Sequence, residues 1–318
     1  MSPTRPVIVL GECVADAFAV PRSGDAAAGL ELNVVPGGGP ANTAVALARL
    51  GTPARFLGRL SGDVFGRLFR EHLAGSGVDL SGCPDAAESS TLAVADLDAA
   101  GRASYSFHAE GTADWQWTAA ELTAGLPADP GCLHTGSLAL VRDPGADRVE
   151  ELLDDLRPRA TISIDPNVRP RLVHPDRYRE RLPRWCAAAD ILRLSDDDLA
   201  LLHPGTPPER ACDDWHALGV PLVVITLGPK GALASLNGER VQVPAQPSHV
   251  VDTVGAGDAF MAGLLHHLHS TGQLGARLTA LTPTDVHAAL TLATTVAAAT
   301  CAARGANPPW ADQLPAFR

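Results

Sequence analysis

Apolar residues occur along this chain in two rhythms. The run Pro6-Val-Ile-Val-Leu-Gly11 is continuous and ends at glycine, which fits a strand covered on both faces rather than one half exposed to water. Thr161-Ile-Ser-Ile-Asp165 and Pro221-Leu-Val-Val-Ile-Thr-Leu-Gly228 repeat the pattern, each closing in a polar or glycine-rich turn. Between such runs, helical patterns predict helices over 41–50, 64–75, 146–156, 177–188, 196–202, 257–269 and 283–303. Strands alternating with helices specify an α/β fold, with a mostly parallel central sheet covered on both sides. Ligands of such sheets gather beyond the carboxyl ends of the strands.

Two stretches depart from this rhythm. Residues 13–20 and 30–35 read as short extended pieces around a Gly/Ala-rich turn, and 91–98 with 102–108 as a hairpin closed at Ala99-Ala100-Gly101. Together they predict a small sheet, inserted at about 13–35 and 91–112, that projects from a single domain spanning 1–318. No internal repeat or interdomain linker is visible.

Hydrophobic residues make up 46% of the chain and charged residues 19%, enough to build a substantial interior. The formal charge of −11 argues against a broad electrostatic grip on nucleic acid or an anionic membrane, so any bound phosphate must be held locally. Cys13, Cys83, Cys132, Cys186, Cys212 and Cys301 are scattered without a CxxC pair, and read as buried free thiols of a reducing compartment. No stretch approaches the roughly 20 apolar residues of a membrane span. The expected location is the cytoplasm.

Two glycine-rich motifs carry the candidate chemistry. Asp252-Thr-Val-Gly-Ala-Gly-Asp258 runs directly into the small, apolar helix Ala259-Phe-Met-Ala-Gly-Leu-Leu265. Glycines leading into a helix start expose unpaired backbone N–H groups where the helix dipole is positive, and such a start binds phosphate oxygens. Gly255, Ala256 and Gly257 would form this anion hole, with Asp258 at its end as a base for an attacking alcohol. On spacing alone, Asp258 could equally be an acid that complements the dipole of an ordinary helix. The second motif, Pro36-Gly-Gly-Gly-Pro-Ala-Asn42, allows close approach to the backbone, while Asn42 offers a donor and an acceptor to hydroxyl groups. That suits a polyol, although a flexible turn capped by Asn42 has the same pattern.

In their order and separation, these motifs resemble the two signatures of the ribokinase-like (PfkB) carbohydrate kinases, a likeness that runs from Val7 to about Pro308. The resemblance implies a three-layer α/β/α fold with a small β-sheet lid, and ATP-dependent phosphorylation of a sugar hydroxyl. It implies that the lid closes over the sugar and pairs with a second lid in a homodimer. Asp16, Gly38, Gly39 and Asn42 match sugar-binding positions, and Thr226, Gly228 and Gly231 the nucleotide loop, with Ser195 and Gly257 on the same side. Arg304-Gly-Ala306 resembles the nucleotide-side loop after the last long helix. Asp252 and Val254 match cation ligands of members that need K⁺. The Asn-x-x-Glu motif linked to Mg²⁺ stands here as Ser195-Asp-Asp-Asp198, which leaves Asp198 as a shorter carboxylate in that role.

Asp165-Pro-Asn-Val-Arg169 resembles a stretch of fructokinases and 2-keto-3-deoxygluconate kinases more than of ribokinases, and Arg169 could clamp a phosphate or an acidic sugar. His108 and Glu110 replace an Arg-rich segment of fructokinase-like members. Glu110 would repel a keto-deoxy acid, which favours a neutral sugar such as fructose. A ribokinase, a nucleoside kinase and a catalytically silent sugar- or nucleotide-binding protein are the alternatives. Trp115 and Trp117 alternate in strand fashion and read as lid or dimer packing. His266, His267 and His269 lack the spacing of metal ligands on one helical face.

Overall fold

The structure, a computed structural model, describes residues 5–20, 29–97 and 103–314. The strand Val7–Leu10 is fully buried, and its alternate residues serve opposite faces. Val7 and Val9 join a core with Ala44, Phe56 and Leu264, whereas Ile8 and Leu10 join a second core with Leu57, Leu133 and Ile162. The continuous apolar run is therefore what a sheet sandwiched between two helical layers requires.

Eight strands form this sheet, in the order Glu239–Val243, Ala232–Leu236, Leu222–Thr226, Ile191–Ser195, Thr161–Asp165, Cys132–Gly136, Val7–Leu10 and Ala54–Leu57. From Leu222–Thr226 to Ala54–Leu57 all neighbours are parallel. The other two strands are antiparallel to their neighbours, and Asn237-Gly238, whose positive φ values are 49° and 97°, joins them in a two-residue hairpin. Gly136, Asp165, Ser195 and Thr226 thus stand at the carboxyl ends of four adjacent strands.

Each glycine motif opens a helix on the same face of the sheet. The helices Gly39–Arg49 and Ala256–Ser270 both contribute to the first core, and Ala256–Ser270 packs closely on Pro283–Cys301. A Cβ on Gly263 would lie 2.8 Å from the Cα of Ala293, so only glycine permits this spacing. The first motif enters its helix two residues earlier than the pattern predicts, with Pro40 near the start, where its missing N–H costs nothing.

A four-stranded sheet in the order Leu32–Gly37, Val14–Ala19, Leu92–Leu97 and Ala103–His108 projects where the lid is expected. Residues 21–28 and 98–102, with the expected turn at 99–101, lie outside the described residues. Phe18 on this sheet is 42% exposed and Val35 38%.

Two expectations need correction. Trp115 closes a short 3-10 helix, Ala113–Trp115, and both Trp115 and Trp117 are buried in the second core of the main body, against neither lid nor dimer. The helices Ala119–Gly125 and Pro208–Ala217 were not foreseen, although Thr118 and Glu121 form a readable capping box for the former. All six cysteines are free thiols; Cys13, Cys132, Cys186 and Cys212 are buried and Cys83 and Cys301 half-buried. Among the described residues no helix is long and apolar enough to cross a membrane.

Candidate active site

Two cavities open at the carboxyl edge of the sheet. The first, about 610 Å³, is lined by Asp16, Gly38, Gly39, Asn42, Arg169 and Asp258 and lies under the lid, which contributes Ala93 and Phe107. The second, about 660 Å³, is lined by Ser195, Thr226, Gly228, Gly231, Ala256 and Gly257. The residues expected at the sugar thus meet in one space, and Ser195, Thr226, Gly228, Gly231 and Gly257 in the other, whereas Arg304-Gly-Ala306, also expected on the nucleotide side, lines neither. The second cavity is also lined by Ala245, Pro247, Ala297 and Ala298, apolar surface that suits a flat base.

Gly255 caps the helix Ala256–Ser270 in the left-handed region, at φ 76°. A Cβ there would strike Ala306, so the Arg304-Gly-Ala306 loop braces the anion hole from behind. The Ala256 N–H is already donated to the Thr253 carbonyl at 3.2 Å. The N–H groups of Gly255, Gly257 and Asp258 have no acceptor among the described residues, which leaves three donors for a phosphate rather than the three of Gly255, Ala256 and Gly257. Asp252 tightens the same turn by accepting from Val254 N at 3.1 Å and from Gly305 N at 2.8 Å, bonds that hold its carboxyl below the usual range. Val254 is exposed beside it.

Asp258 faces the first cavity. Burial raises its pKa, against the opposing effect of a hydrogen bond from Asn42 Nδ2 to Asp258 Oδ2 at 2.9 Å and the charges of Arg169 and Arg193. Asn42 is therefore not a cap: it is the fourth residue of its helix, and its side chain orients the Asp258 carboxylate. A Cβ on Gly39 would lie 3.2 Å from Asp258 Oδ1 and 2.7 Å from Asn167 Nδ2, so the two glycine motifs meet at this carboxylate.

The Asn42 contact has a testable sign. Asn42→Leu removes the donor that favours ionised Asp258, so the acid limb of kcat/KM is expected to move to higher pH, with activity near pH 7 lower by about tenfold or more. A pH–rate profile checks it; an acid limb at the wild-type position would show that the contact does not tune the base.

Asp16, on the lid strand Val14–Ala19, points into the first cavity with its pKa raised by burial to about 6, Arg169 opposing. Arg169 is exposed, lines the cavity and has no carboxylate at ion-pair distance among the described residues. Glu110 does not reach the site: it is an exposed partner of Arg142 at 2.8 Å, and neither it nor His108 lines the cavity. Glu110 therefore does not stand where it could repel a keto-deoxy acid in this cavity.

Asp198 is buried and occupied. Its Oδ1 accepts from Val168 N at 2.8 Å, and its Oδ2 from Ser195 N at 3.1 Å and Ser195 Oγ at 2.6 Å, a capping box for the helix Asp196–Leu202. Two of the three histidines have structural partners: His266 bonds Thr52 and His269 the Arg5 carbonyl.

Sequence reasoning missed three groups. Glu12, whose pKa burial raises to about 7, sits in the cavity wall beside Ser137. Asn167 takes a positive φ of 41° at the junction of the cavities. Arg193, 5% exposed, donates to Asp165 Oδ2 at 2.6 Å and Thr226 Oγ1 at 2.9 Å. A signal for the last was available: an arginine inside the apolar run Ile191-Leu-Arg-Leu needs a buried partner.

A carboxylate beside free helix-start amides, between a polyol-sized space and a nucleotide-sized one, is the layout of a phosphotransferase acting on small alcohols. The chain belongs to the pfkB family of carbohydrate kinases, whose model matches residues 4–313. It is 39% identical over 233 residues to a fructokinase of Rhizobium leguminosarum bv. trifolii, over 73% of this chain and 71% of the relative. A fructokinase of Klebsiella pneumoniae is 36% identical over 285 residues, 88% of this chain and 90% of its own. Among solved structures, a fructokinase with bound ATP from Xylella fastidiosa matches with TM-score 0.86 at 25% identity, over 95% of this chain and 94% of that one. A fructokinase double mutant from Vibrio cholerae O395, in its fructose-, ADP- and potassium-bound form, matches with TM-score 0.81 at 27% identity, over 95% and 94%. This chain is a sugar kinase that uses ATP.

Proposed function

We propose that the sugar is fructose and that Asp258 is the base that activates its hydroxyl. One observation carries the assignment of Asp258: its carboxylate, oriented by Asn42, lines the sugar-side cavity, while Gly257 of the same helix start lines both that cavity and the nucleotide-side one. In this reading Asp16, Gly38, Gly39, Asn42 and Arg169 hold the sugar, and Ser195, Thr226, Gly228, Gly231 and Gly257 hold ATP. Asp258 takes the proton as the sugar oxygen attacks the γ-phosphorus, and the amides of Gly255, Gly257 and Asp258 meet the charge on the phosphoryl oxygens. The lid excludes water, which would otherwise compete as acceptor.

No group of three or more His, Cys, Asp or Glu among the described residues is arranged to hold a metal by itself. That suits Mg²⁺ carried in on the nucleotide phosphates, which keeps several of its waters. Asp197 and Asp198 line that cavity and could hold the ion from beyond those waters. When bound, it neutralises charge on the phosphates. Asp252 and Val254 would serve K⁺. The apolar exposure of Phe18 and Val35 supports a homodimer joined through the lids, and the free cysteines support a cytoplasmic location.

A second reading, 2-keto-3-deoxygluconate, is favoured by Arg169, a cation in the sugar cavity without an acidic partner at ion-pair distance. Coupled ADP release with fructose, ribose, 2-keto-3-deoxygluconate and adenosine, with and without K⁺, separates the readings. Fructose is expected to give the highest kcat/KM, raised by K⁺; a higher value for any of the others would transfer the assignment to it.

A further inference from the structure

Four residues line both cavities: Asn167, Arg193, Thr253 and Gly257. If ATP occupies one cavity and the acceptor the other, the phosphoryl group must cross at this wall. Arg193 is the only charged residue of the four. Its guanidinium backs directly onto the anion hole, since a Cβ on Gly257 would lie 2.9 Å from Nη1 and 3.0 Å from Nη2. Two of its five N–H groups are used, on Asp165 and Thr226, and Nε is buried with no acceptor among the described residues.

Charge balance points the same way. Asp165, Asp198 and Asp258 all stand close enough to favour the arginine's charged form, and a phosphoryl group would bring further negative charge to this place. Lys230, the only lysine of the chain, is exposed and lines neither cavity. The compensating protein charge at the shared wall rests on Arg193, held by its bond to Asp165 and packed with Cζ 5.6 Å from the centre of the Phe260 ring. A planar fork fixed in advance suits a migrating phosphoryl group, whose charge spreads over three equatorial oxygens.

We infer that Arg193 is a catalytic residue, its guanidinium contacting the phosphoryl oxygens as the bond to ADP breaks, the bond to the sugar oxygen forms and the proton passes to Asp258. The inference rests on the kinase reading. Its test compares wild type, Arg193→Gln and Arg193→Lys for kcat on the best sugar, for Kd of that sugar and of ADP, and for Kd of ADP with aluminium fluoride in the sugar-bound protein. Aluminium fluoride stands in for the phosphoryl group in transit. Arg193→Gln is expected to lose about 10²–10³-fold in kcat, with sugar and ADP bound within about threefold of wild type, and to lose most of the tightening that aluminium fluoride gives. Arg193→Lys is expected to fall between.

A kcat for Arg193→Gln within threefold of wild type overturns the role. So does a loss of kcat that tracks weaker binding of both substrates while the aluminium fluoride tightening survives, because that marks a merely structural partner of Asp165. If the glutamine variant does not fold, the lysine variant decides: reduced kcat with both affinities intact supports the role, and unchanged kcat or lost binding refutes it. Failure of the kinase reading looks different, since the unaltered protein would then release no ADP with any sugar.

Discussion

Asp258→Asn is expected to lower kcat by about 10³–10⁴-fold while leaving the Kd of ATP within about threefold. The upper end follows from the usual contribution of a placed general base, about 10²–10⁴-fold. Asn42 can only donate toward the missing charge, Asp165 is held by Arg193, and Asp198 is held by Ser195 and Val168. ATP affinity is spared because the amides and the Thr226–Gly231 loop remain. Folding gives an independent control with a definite sign. The folded pKa of Asp258 lies above its ordinary value, so ionising it costs stability as pH rises from the ordinary carboxylate range through the folded pKa. Asparagine removes that cost, so Tm at neutral pH is expected to be equal to or above that of wild type. Full turnover in this variant would remove Asp258 as base; lost turnover with a lowered Tm would show only damage to the fold.

Asp16→Ala is expected to reduce kcat/KM for the sugar by about 10²–10⁴-fold and to leave ATP binding unchanged. A carboxylate that accepts from two hydroxyls contributes two hydrogen bonds to a charged group, each about 1.5–3 kcal/mol. A pKa of about 6 adds a pH test: sugar binding is expected to weaken as pH falls below that value, where the carboxyl gains a proton and can accept fewer bonds. Isothermal titration with the sugar at pH 5 and pH 8 measures it. An affinity in the alanine variant close to wild type would exclude Asp16 from the sugar site.

Much of this site was readable because its chemistry is backbone chemistry. Glycines at 37–39, 255 and 257 announce close approach whatever surrounds them, and the continuous strand at Val7 announces a sheet covered on both sides. The rest depended on side chains converging from distant elements. Arg193 belongs to a strand between two others, and only parallel register with Leu222–Thr226 brings Thr226 beside it. Glu110 stands near the lid in sequence, yet its side chain is exposed and pairs with Arg142. Trp115 and Trp117 alternate like strand residues, but the short helix at Ala113 turns both into the main core. Local pattern identified the longest helices and three strands of the main sheet but not Ala119–Gly125, Pro208–Ala217 or strands such as Cys132–Gly136 and Ile191–Ser195, and packing decided which way side chains face.

The most direct measurement is a crystal structure with fructose and a non-hydrolysable ATP analogue bound together. The Asp258 carboxylate is expected within about 2.6–3.2 Å of one fructose hydroxyl, the distance over which a base can take a proton, with that oxygen in line with the γ-phosphorus. A carboxylate turned from the terminal phosphate, with another group at that hydroxyl, would contradict it.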